Sequence, residues 1–230
     1  MAWISLIVLE KIRHITYDPI DLHQWTDFQL ENLDEAIAQK SKYVGPHPEY
    51  GWTVLPSGTS DSYQANTQGI RGDKEYEVEI PEGKIRIMMF GDSFTHGDDV
   101  KNQETWSSWM EIEDPRLETM NFGVPGFGLD QAYLRFQNEA DRFQTDIVII
   151  GFYSDDIHRH VSYYSPFRSR ESIAIIKPRY VLEGDSLLLI PNLLKTPEDF
   201  AALKTSPEAI IPHYAPYDFF YKYGYVASAW

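Results

Sequence analysis

One stretch decides the fold: Ile85-Arg86-Ile87-Met88-Met89-Phe90, followed at once by Gly91-Asp92-Ser93-Phe94-Thr95-His96-Gly97. The apolar run predicts a buried strand, and the Gly-Asp-Ser that follows places a serine hydroxyl at the carboxyl edge of a sheet. Open α/β folds hold their reactive groups at that edge. The plainer alternative is an ordinary strand-ending turn, in which Asp92 or Ser93 caps a helix.

Outward from this stretch the chain alternates strand and helix. Strands are predicted over 85–90, 117–121 and 146–152, and helices over 104–111 and 129–143. A βαβαβ series predicts a three-layer α/β/α doubly wound parallel sheet of the flavodoxin-like kind. Only three core strands can be counted, so the third is expected to be a sheet edge with unpaired backbone. That edge would be covered by a second copy of the chain or by a missing C-terminal segment.

The sequence divides into two regions. Residues 1–83 are expected to form an N-terminal extension, helical over 1–44 and loop-rich over 44–83. Residues 84–230 are expected to form the α/β domain, incomplete at its C-terminus, with a β-hairpin inserted at about 177–190 and a capped helix over 196–203.

Composition excludes several classes of function. The chain has 35 acidic and 20 basic residues, a formal charge of −15, and no cysteine. The acidic balance argues against a nucleic-acid partner and against adsorption to anionic membranes. Without cysteine there are no disulfides and no thiolate chemistry. We expect no cofactor and no metal, since His158 and His160 are best explained as surface residues and no phosphate-binding glycine motif follows the first strand.

The N-terminus does not settle the compartment. Residues 1–9 are apolar-leaning but too few to span a bilayer, which needs about 20 residues. They predict either a short first helix or the end of a membrane anchor that was truncated. The protein is therefore expected to be cytoplasmic, or extracytoplasmic with such an anchor.

Two further segments follow strands and can carry chemistry. The first is Asn121-Phe122-Gly123-Val124-Pro125-Gly126-Phe127-Gly128, and the second is Tyr153-Ser154-Asp155-Asp156-Ile157-His158. Taken alone, the first predicts a glycine- and proline-rich turn and the second an acidic turn.

Together with Gly-Asp-Ser-x-Thr-x-Gly, these segments resemble the GDSL/SGNH hydrolases, from about Asn66 to Ile157. The resemblance implies a serine esterase or acyl hydrolase acting on a small acyl ester, with O-acetyl carbohydrate as one example. Ser93 would be the nucleophile, and the Gly126 amide would donate to the oxyanion. Asp155 stands where the family carries an asparagine donor, and an ionised carboxylate cannot donate. Asp92, His96 and Asn121 would border the substrate, with His96 at the rim of the pocket.

The general base is the gap in this resemblance. Family members carry Asp-x-x-His near the C-terminus, and none is found there. His158 has that literal spacing from Asp155, and His213 is a further alternative. We expect the true block to lie beyond Trp230. An acyltransferase would use the same chemistry, whereas Asp155 and the missing histidine favour a catalytically inactive binding or scaffold domain.

Overall fold

The computed structural model describes residues 25–154, 156–169, 172–213 and 215–222. The strands are β1 (Val44–His47), β2 (Gly51–Val54), β3 (Ile85–Phe90), β4 (Leu117–Asn121), β5 (Ile147–Ile150), β6 (Arg179–Glu183) and β7 (Ser186–Ile190). The helices are α1 (Asp27–Ala38), α2 (Ser93–His96), α3 (Trp106–Glu113), α4 (Leu129–Glu139), α5 (Asp156–Val161), α6 (Ser165–Arg168), α7 (Pro197–Thr205) and α8 (Pro207–Ile210). Short 3₁₀ turns lie at Asn102–Glu104, Ile211–His213 and Ala215–Tyr217.

The central sheet is parallel and has the strand order β4-β3-β5. Met88 of β3 is aligned with Met120 on one side and with Val148 on the other. Since β4 and β5 lie on opposite sides of β3, right-handed crossovers place α3 and α4 on opposite faces of the sheet. The predicted α/β fold class, a parallel sheet flanked by helices, is confirmed.

Two of the three central strands begin and end where the sequence predicts. Residues 85–90 and 117–121 are strands over their full predicted lengths, whereas the third strand is shortened to Ile147–Ile150. Within the described residues β5 is an edge, with Ile147 and Ile150 exposed at 44% and 38%. What covers that edge stays a prediction.

The stretch expected to be loop-rich contains an antiparallel hairpin. β1 and β2 pair with Pro46 opposite Trp52 and His47 opposite Gly51. The prolines of this stretch argue against a strand, and Pro46 is tolerated because this two-stranded sheet consists of edges. The hairpin predicted at about 177–190 forms as β6 and β7.

The described residues pack around two apolar cores. One lies against the sheet and includes Met88, Phe90, Met120 and Phe122. The other joins α1 to the C-terminal part of the chain and includes Leu33, Tyr163, Phe200 and Leu203. Trp25 extends this second core, because its indole N–H donates to the Lys204 carbonyl at 3.0 Å. α1 packs against α7, so the N-terminal region contacts the C-terminal part of the chain. The division of the chain into two regions at residue 83 stays a prediction.

None of the helices in the described ranges is long and apolar enough to cross a membrane. Residues 1–9, expected to form a helix or the end of an anchor, lie outside those ranges.

A buried arginine holds the segment that precedes the sheet. Arg86 in β3 is fully buried, and its Nε donates to Glu118 of β4 at 2.6 Å. Its Nη atoms donate to the carbonyls of Glu77, Val78 and Glu79 at 2.9–3.0 Å. The guanidinium therefore fastens residues 77–79 to the amino end of the sheet.

At the opposite end of the sheet, α2 lies so close to the strand ends that glycine is required there. A Cβ at Gly123, after β4, would lie 2.3 Å from the His96 backbone nitrogen. A Cβ at Gly91 or at Gly151, after β3 and β5, would lie 2.2 Å from Thr95 Oγ1. Glycines after all three strands therefore admit the helix that begins with Ser93.

We expect Gly151→Ala to lower the free energy of unfolding by about 1–3 kcal/mol, since overpacking a buried contact costs that much. Thr95→Ala in the same chain removes Oγ1 and leaves the nearest remaining Thr95 atom, Cβ, 3.6 Å from the new methyl. Urea unfolding of the two single variants, the double variant and the wild type should show strong favourable coupling. Simple additivity of the two changes would contradict this packing.

Candidate active site

Ser93 begins α2 directly after the central strand β3, and its side chain is half-buried. Asp92 caps this helix, because its Oδ1 accepts the Phe94 N–H at 2.9 Å. The strand end and the cap together fix the serine at the carboxyl edge of the sheet, where the sequence predicts it.

Asp92 is held by an arginine that the sequence reasoning missed. Arg159 Nη1 donates to Asp92 Oδ2 at 2.9 Å and to Asp156 Oδ1 at 3.0 Å. Both carboxylates are buried, at 3% and 2% exposure, and burial raises the pKa of Asp156. The three side chains therefore form an ion cluster beneath Ser93, and Asp92 serves to position the helix. The Asp156-x-x-Arg159 spacing of a helical ion pair was the available signal.

The loop after β4 is tied to the serine segment and to β2. The Val124 N–H donates to the Gly91 carbonyl at 3.0 Å, two residues before Ser93. The Trp52 indole N–H donates to the Pro125 carbonyl at 2.8 Å. Gly126 has φ +78°, a left-handed conformation that favours glycine. Its backbone amide therefore follows directly after two residues, Val124 and Pro125, that are hydrogen-bonded to the serine segment and to β2.

Asn121 lies in the interior and connects α2 with the loop after β4. Its Nδ2 donates to the Thr95 carbonyl at 2.9 Å, and its Oδ1 accepts the Gly123 N–H at 3.0 Å. The residue is 4% exposed, so its amide is used for holding α2 against the loop.

The sequence predicts His96 at the rim of a pocket, but the structure buries its ring completely. Tyr43 Oη lies 2.6 Å from Nε2, and Arg71 Nη1 lies 2.9 Å from Nδ1 and 3.2 Å from Nε2. Burial lowers the pKa of His96; the Arg71 charge adds to this effect, whereas the Asp98 carboxylate, 2.5 Å from Nδ1, opposes it.

The other candidate histidines lie at the surface. His158 is exposed on α5, with its ring edge-on to Phe220 at 6.2 Å, and His213 is exposed in a 3₁₀ turn. His158 and His160 both lie in α5. Two residues of a helix are about 200° apart around its axis, so these side chains diverge. The part of the chain that the structure describes holds no cluster of three potential metal ligands.

Asp155 lies outside the described residues. The oxyanion role of Asp155 stays a prediction. Among the other predicted site residues, the structure brings together Asp92, Ser93, Asn121 and the Gly126 loop. It places His158 and His213 at the surface.

We expect the free energy of unfolding to fall as the pH drops below about 6.5, the ordinary pKa of histidine. The folded state holds His96 with a lowered pKa, so the unfolded chain binds the proton first and gains stability in acid. Urea unfolding between pH 8 and pH 5 should show a smaller pH slope in His96→Gln, by up to about 1.4 kcal/mol per pH unit. His47, whose pKa burial lowers to about 4, contributes equally to both proteins. An unchanged slope would show that the pKa of His96 is the same in the folded and the unfolded state.

We expect Arg159→Met to destabilise the protein by about 3 kcal/mol, because it leaves two buried carboxylates without their shared cation. The value is at the lower end of the usual range since the Arg159 side chain keeps 18% exposure. Arg116→Met is the matched control: this arginine pairs with Asp114 at the surface, with side-chain exposures of 72% and 32%, where a pair contributes little to stability. Thermal unfolding that ranks the two variants equally would contradict the ion cluster.

The chain is similar to one family of known proteins. A family model described as GDSL-like Lipase/Acylhydrolase matches residues 87–213, more than half of the chain. A solved structure, a member of the lipolytic protein G-D-S-L family from Veillonella parvula DSM 2008, is 22% identical with a TM-score of 0.29. That match covers 36% of this chain and 48% of the other, so the chain spans about half the length of that protein. No curated protein matches the chain. With its family match spanning Ser93 and the Gly126 loop, the chain belongs to the GDSL-like lipase/acylhydrolase family.

Proposed function

We propose that this protein is a serine ester hydrolase in which Ser93 is the nucleophile. Membership of the GDSL-like lipase/acylhydrolase family indicates ester hydrolysis in general. The observation that carries the proposal for this chain is the hydrogen bond between the Val124 N–H and the Gly91 carbonyl, which joins the Gly126 loop to the serine segment.

In the proposed reaction, Ser93 Oγ attacks the ester carbonyl carbon and gives its proton to a general base. The carbonyl oxygen becomes an oxyanion, which accepts hydrogen bonds from the backbone N–H groups of Ser93 and Gly126. Fixed backbone donors are effective here because they need no reorganisation as the charge develops. The alcohol leaves with the proton from the base, and water then releases the acyl group as a carboxylic acid.

We propose that the base is a histidine supplied from outside the described residues. His96 is buried, and its ring nitrogens contact Tyr43 and Arg71. His158 is exposed and faces Phe220. The scaffold seen here would then present the nucleophile and the oxyanion donors, and the base would complete the site.

The second oxyanion donor depends on residue 155. If Asp155 faces the oxyanion, it has to be protonated to donate, as a carboxylic acid can be in an apolar site beside a second carboxyl group. Asp156 next to it already has a raised pKa because of burial. The backbone amides of Ser93 and Gly126 suffice for the proposed step if Asp155 points away.

The test is labelling with a fluorophosphonate, which modifies a serine only where a base and oxyanion donors activate it. We expect one adduct, located at Ser93 by peptide mass spectrometry, in the form of the protein that contains the base. The 230-residue chain and the full open reading frame should be compared. Ser93→Ala should abolish labelling and turnover of a p-nitrophenyl ester.

Ser186→Ala is the matched control, because Ser186 is exposed at the start of β7, on the separate hairpin. It should label like the wild type. Labelling that persists in Ser93→Ala would remove Ser93 from the mechanism. No labelling in either length of the protein would favour the inactive binding domain.

A further inference from the structure

The loop after β4 carries the amide of Gly126 in a tight turn. Residues 124–127 form this turn, which is closed by a hydrogen bond from the Phe127 N–H to the Val124 carbonyl at 3.2 Å. Pro125 is its second residue, and the proline ring fixes φ at about −65°. Gly126 is the third residue, with φ +78°. A negative φ followed by a positive φ identifies a type II β-turn.

A type II turn differs from the common type I turn in the orientation of its middle peptide, here the one that joins Pro125 to Gly126. The two types are interconverted by rotating that peptide through roughly half a turn. Proline is favoured at the second position of both types, and glycine adopts positive and negative φ about equally readily. The residues of the turn therefore permit both orientations, and a contact from outside the turn has to select one.

The indole of Trp52 makes that contact. Its N–H donates to the Pro125 carbonyl at 2.8 Å. This carbonyl and the Gly126 N–H belong to one peptide unit, which is trans. A trans peptide is planar, and its C=O and N–H groups point in opposite directions. The indole therefore holds the carbonyl toward β2 and turns the Gly126 N–H away from β2, and rotation of the peptide would break the hydrogen bond.

Packing fixes the Trp52 side chain in place. The residue lies in β2, opposite Pro46 of β1. Its ring packs edge-on against Phe127 at a centroid distance of 5.8 Å, and Phe127 is fully buried. The ring also lies 3.6 Å from the position that a Cβ on Gly126 would take. The β1–β2 hairpin therefore contacts the turn through both the N–H and the ring of this one residue.

The N–H that is turned away from β2 has no partner of its own. Among the described residues, no group accepts a hydrogen bond from the Gly126 N–H, and the same holds for the Ser93 N–H. Both residues are half-buried. Backbone N–H groups in protein interiors are almost always paired, so these two donors are available to an acceptor on a ligand.

We propose that Trp52 is a positioning residue for ester hydrolysis: through the Pro125 carbonyl it sets the direction of the Gly126 N–H, the donor to the oxyanion. The inference rests on the proposed function, since the oxyanion forms only if Ser93 attacks an ester. Donation to the carbonyl also polarises the peptide and makes its N–H a stronger donor. Trp52 lies before residues 87–213, which the family model matches, so the active site extends into this chain's own N-terminal hairpin.

The first test observes the peptide directly. Pro125 and Gly126 form the only proline–glycine step in the chain. Labelling with carbonyl-¹³C proline and ¹⁵N glycine therefore leaves one signal in a two-dimensional HNCO spectrum. Trp52→Phe removes the indole N–H, and replacement of Trp52 by benzothienylalanine removes it while keeping the shape of the ring. In both variants we expect the carbonyl signal to move upfield, because a hydrogen bond to a carbonyl deshields its carbon.

The second test measures the reaction in the form of the protein that contains the base. Both Trp52 variants should lose p-nitrophenyl ester hydrolysis and fluorophosphonate labelling of Ser93 by about 10- to 100-fold. This is less than the loss of about 10²–10³ that follows removal of an oxyanion donor, because the Gly126 N–H is misdirected but still present. kcat and kcat/KM should fall equally, since the interaction is made only in the transition state. A merely structural role would lower the melting temperature and leave the labelling rate per folded molecule unchanged.

Trp109→Phe is the matched control, because Trp109 is 52% exposed in α3 and its indole makes no hydrogen bond within the described residues. It should keep the wild-type signal and both wild-type rates. A carbonyl signal that stays in place in both Trp52 variants would overturn the proposal.

The labelling of the wild type separates this proposal from the proposed function. If Ser93 is labelled in the wild type and equally fast in both Trp52 variants, the serine hydrolase stands and the positioning role of Trp52 is removed. If Ser93 is not labelled in the wild type at either length of the chain, the hydrolase is removed and the positioning role with it.

Discussion

The close approach of α2 to the three strand ends is the constraint on which the rest of the structure depends. A single methyl group at Gly123 or Gly151 would lie 2.2–2.3 Å from an atom of Thr95 or His96. Because that space is kept clear, the helix can begin at once after β3, and Ser93 is its first residue. Hydrogen bonds from Asn121 and Val124 then hold the neighbouring loop against the same helix.

The buried polar residues around Ser93 have a structural role, because they fix the positions of the helix and loop next to it. Asp92, Asn121 and His96 are all buried, and each is satisfied by partners from distant parts of the chain. Buried polar networks of this kind are costly unless complete, but a complete network fixes one geometry. Ser93 and the candidate oxyanion amide are thus presented on a rigid support. In the proposed mechanism, proton transfer is left to a group outside that support.

The sequence predicts the central sheet well because the sheet depends on local patterns. β3 is a largely apolar run that ends just before Gly91, and β4 is an alternating run that ends at Asn121. Both strands are found at the predicted residues. The helix expected over 129–143 ends earlier, at Glu139. The serine segment and the glycine loop could likewise be placed, since each directly follows a strand.

What sequence reasoning missed depends on contacts between distant residues. Arg159 binds Asp92, which lies 67 residues earlier in the chain, and Tyr43 contacts His96, which lies 53 residues later. No spacing pattern in the chain reveals such pairs. The family resemblance placed His96 and Asn121 beside the substrate, and both are found inside.

The clamp made by Arg86 bears on the order in which the chain assembles. Its guanidinium binds carbonyls only seven to nine residues earlier in the chain, whereas Trp25 bonds to Lys204 across 179 residues. Closing a short loop costs less conformational entropy than closing a long one. Proteins rich in local contacts also fold faster. The entropy of loop closure therefore favours early formation of the sheet and the segment before it. Docking of α1 on α7 is the later step, because it brings together segments from near the beginning and near the end of the described residues.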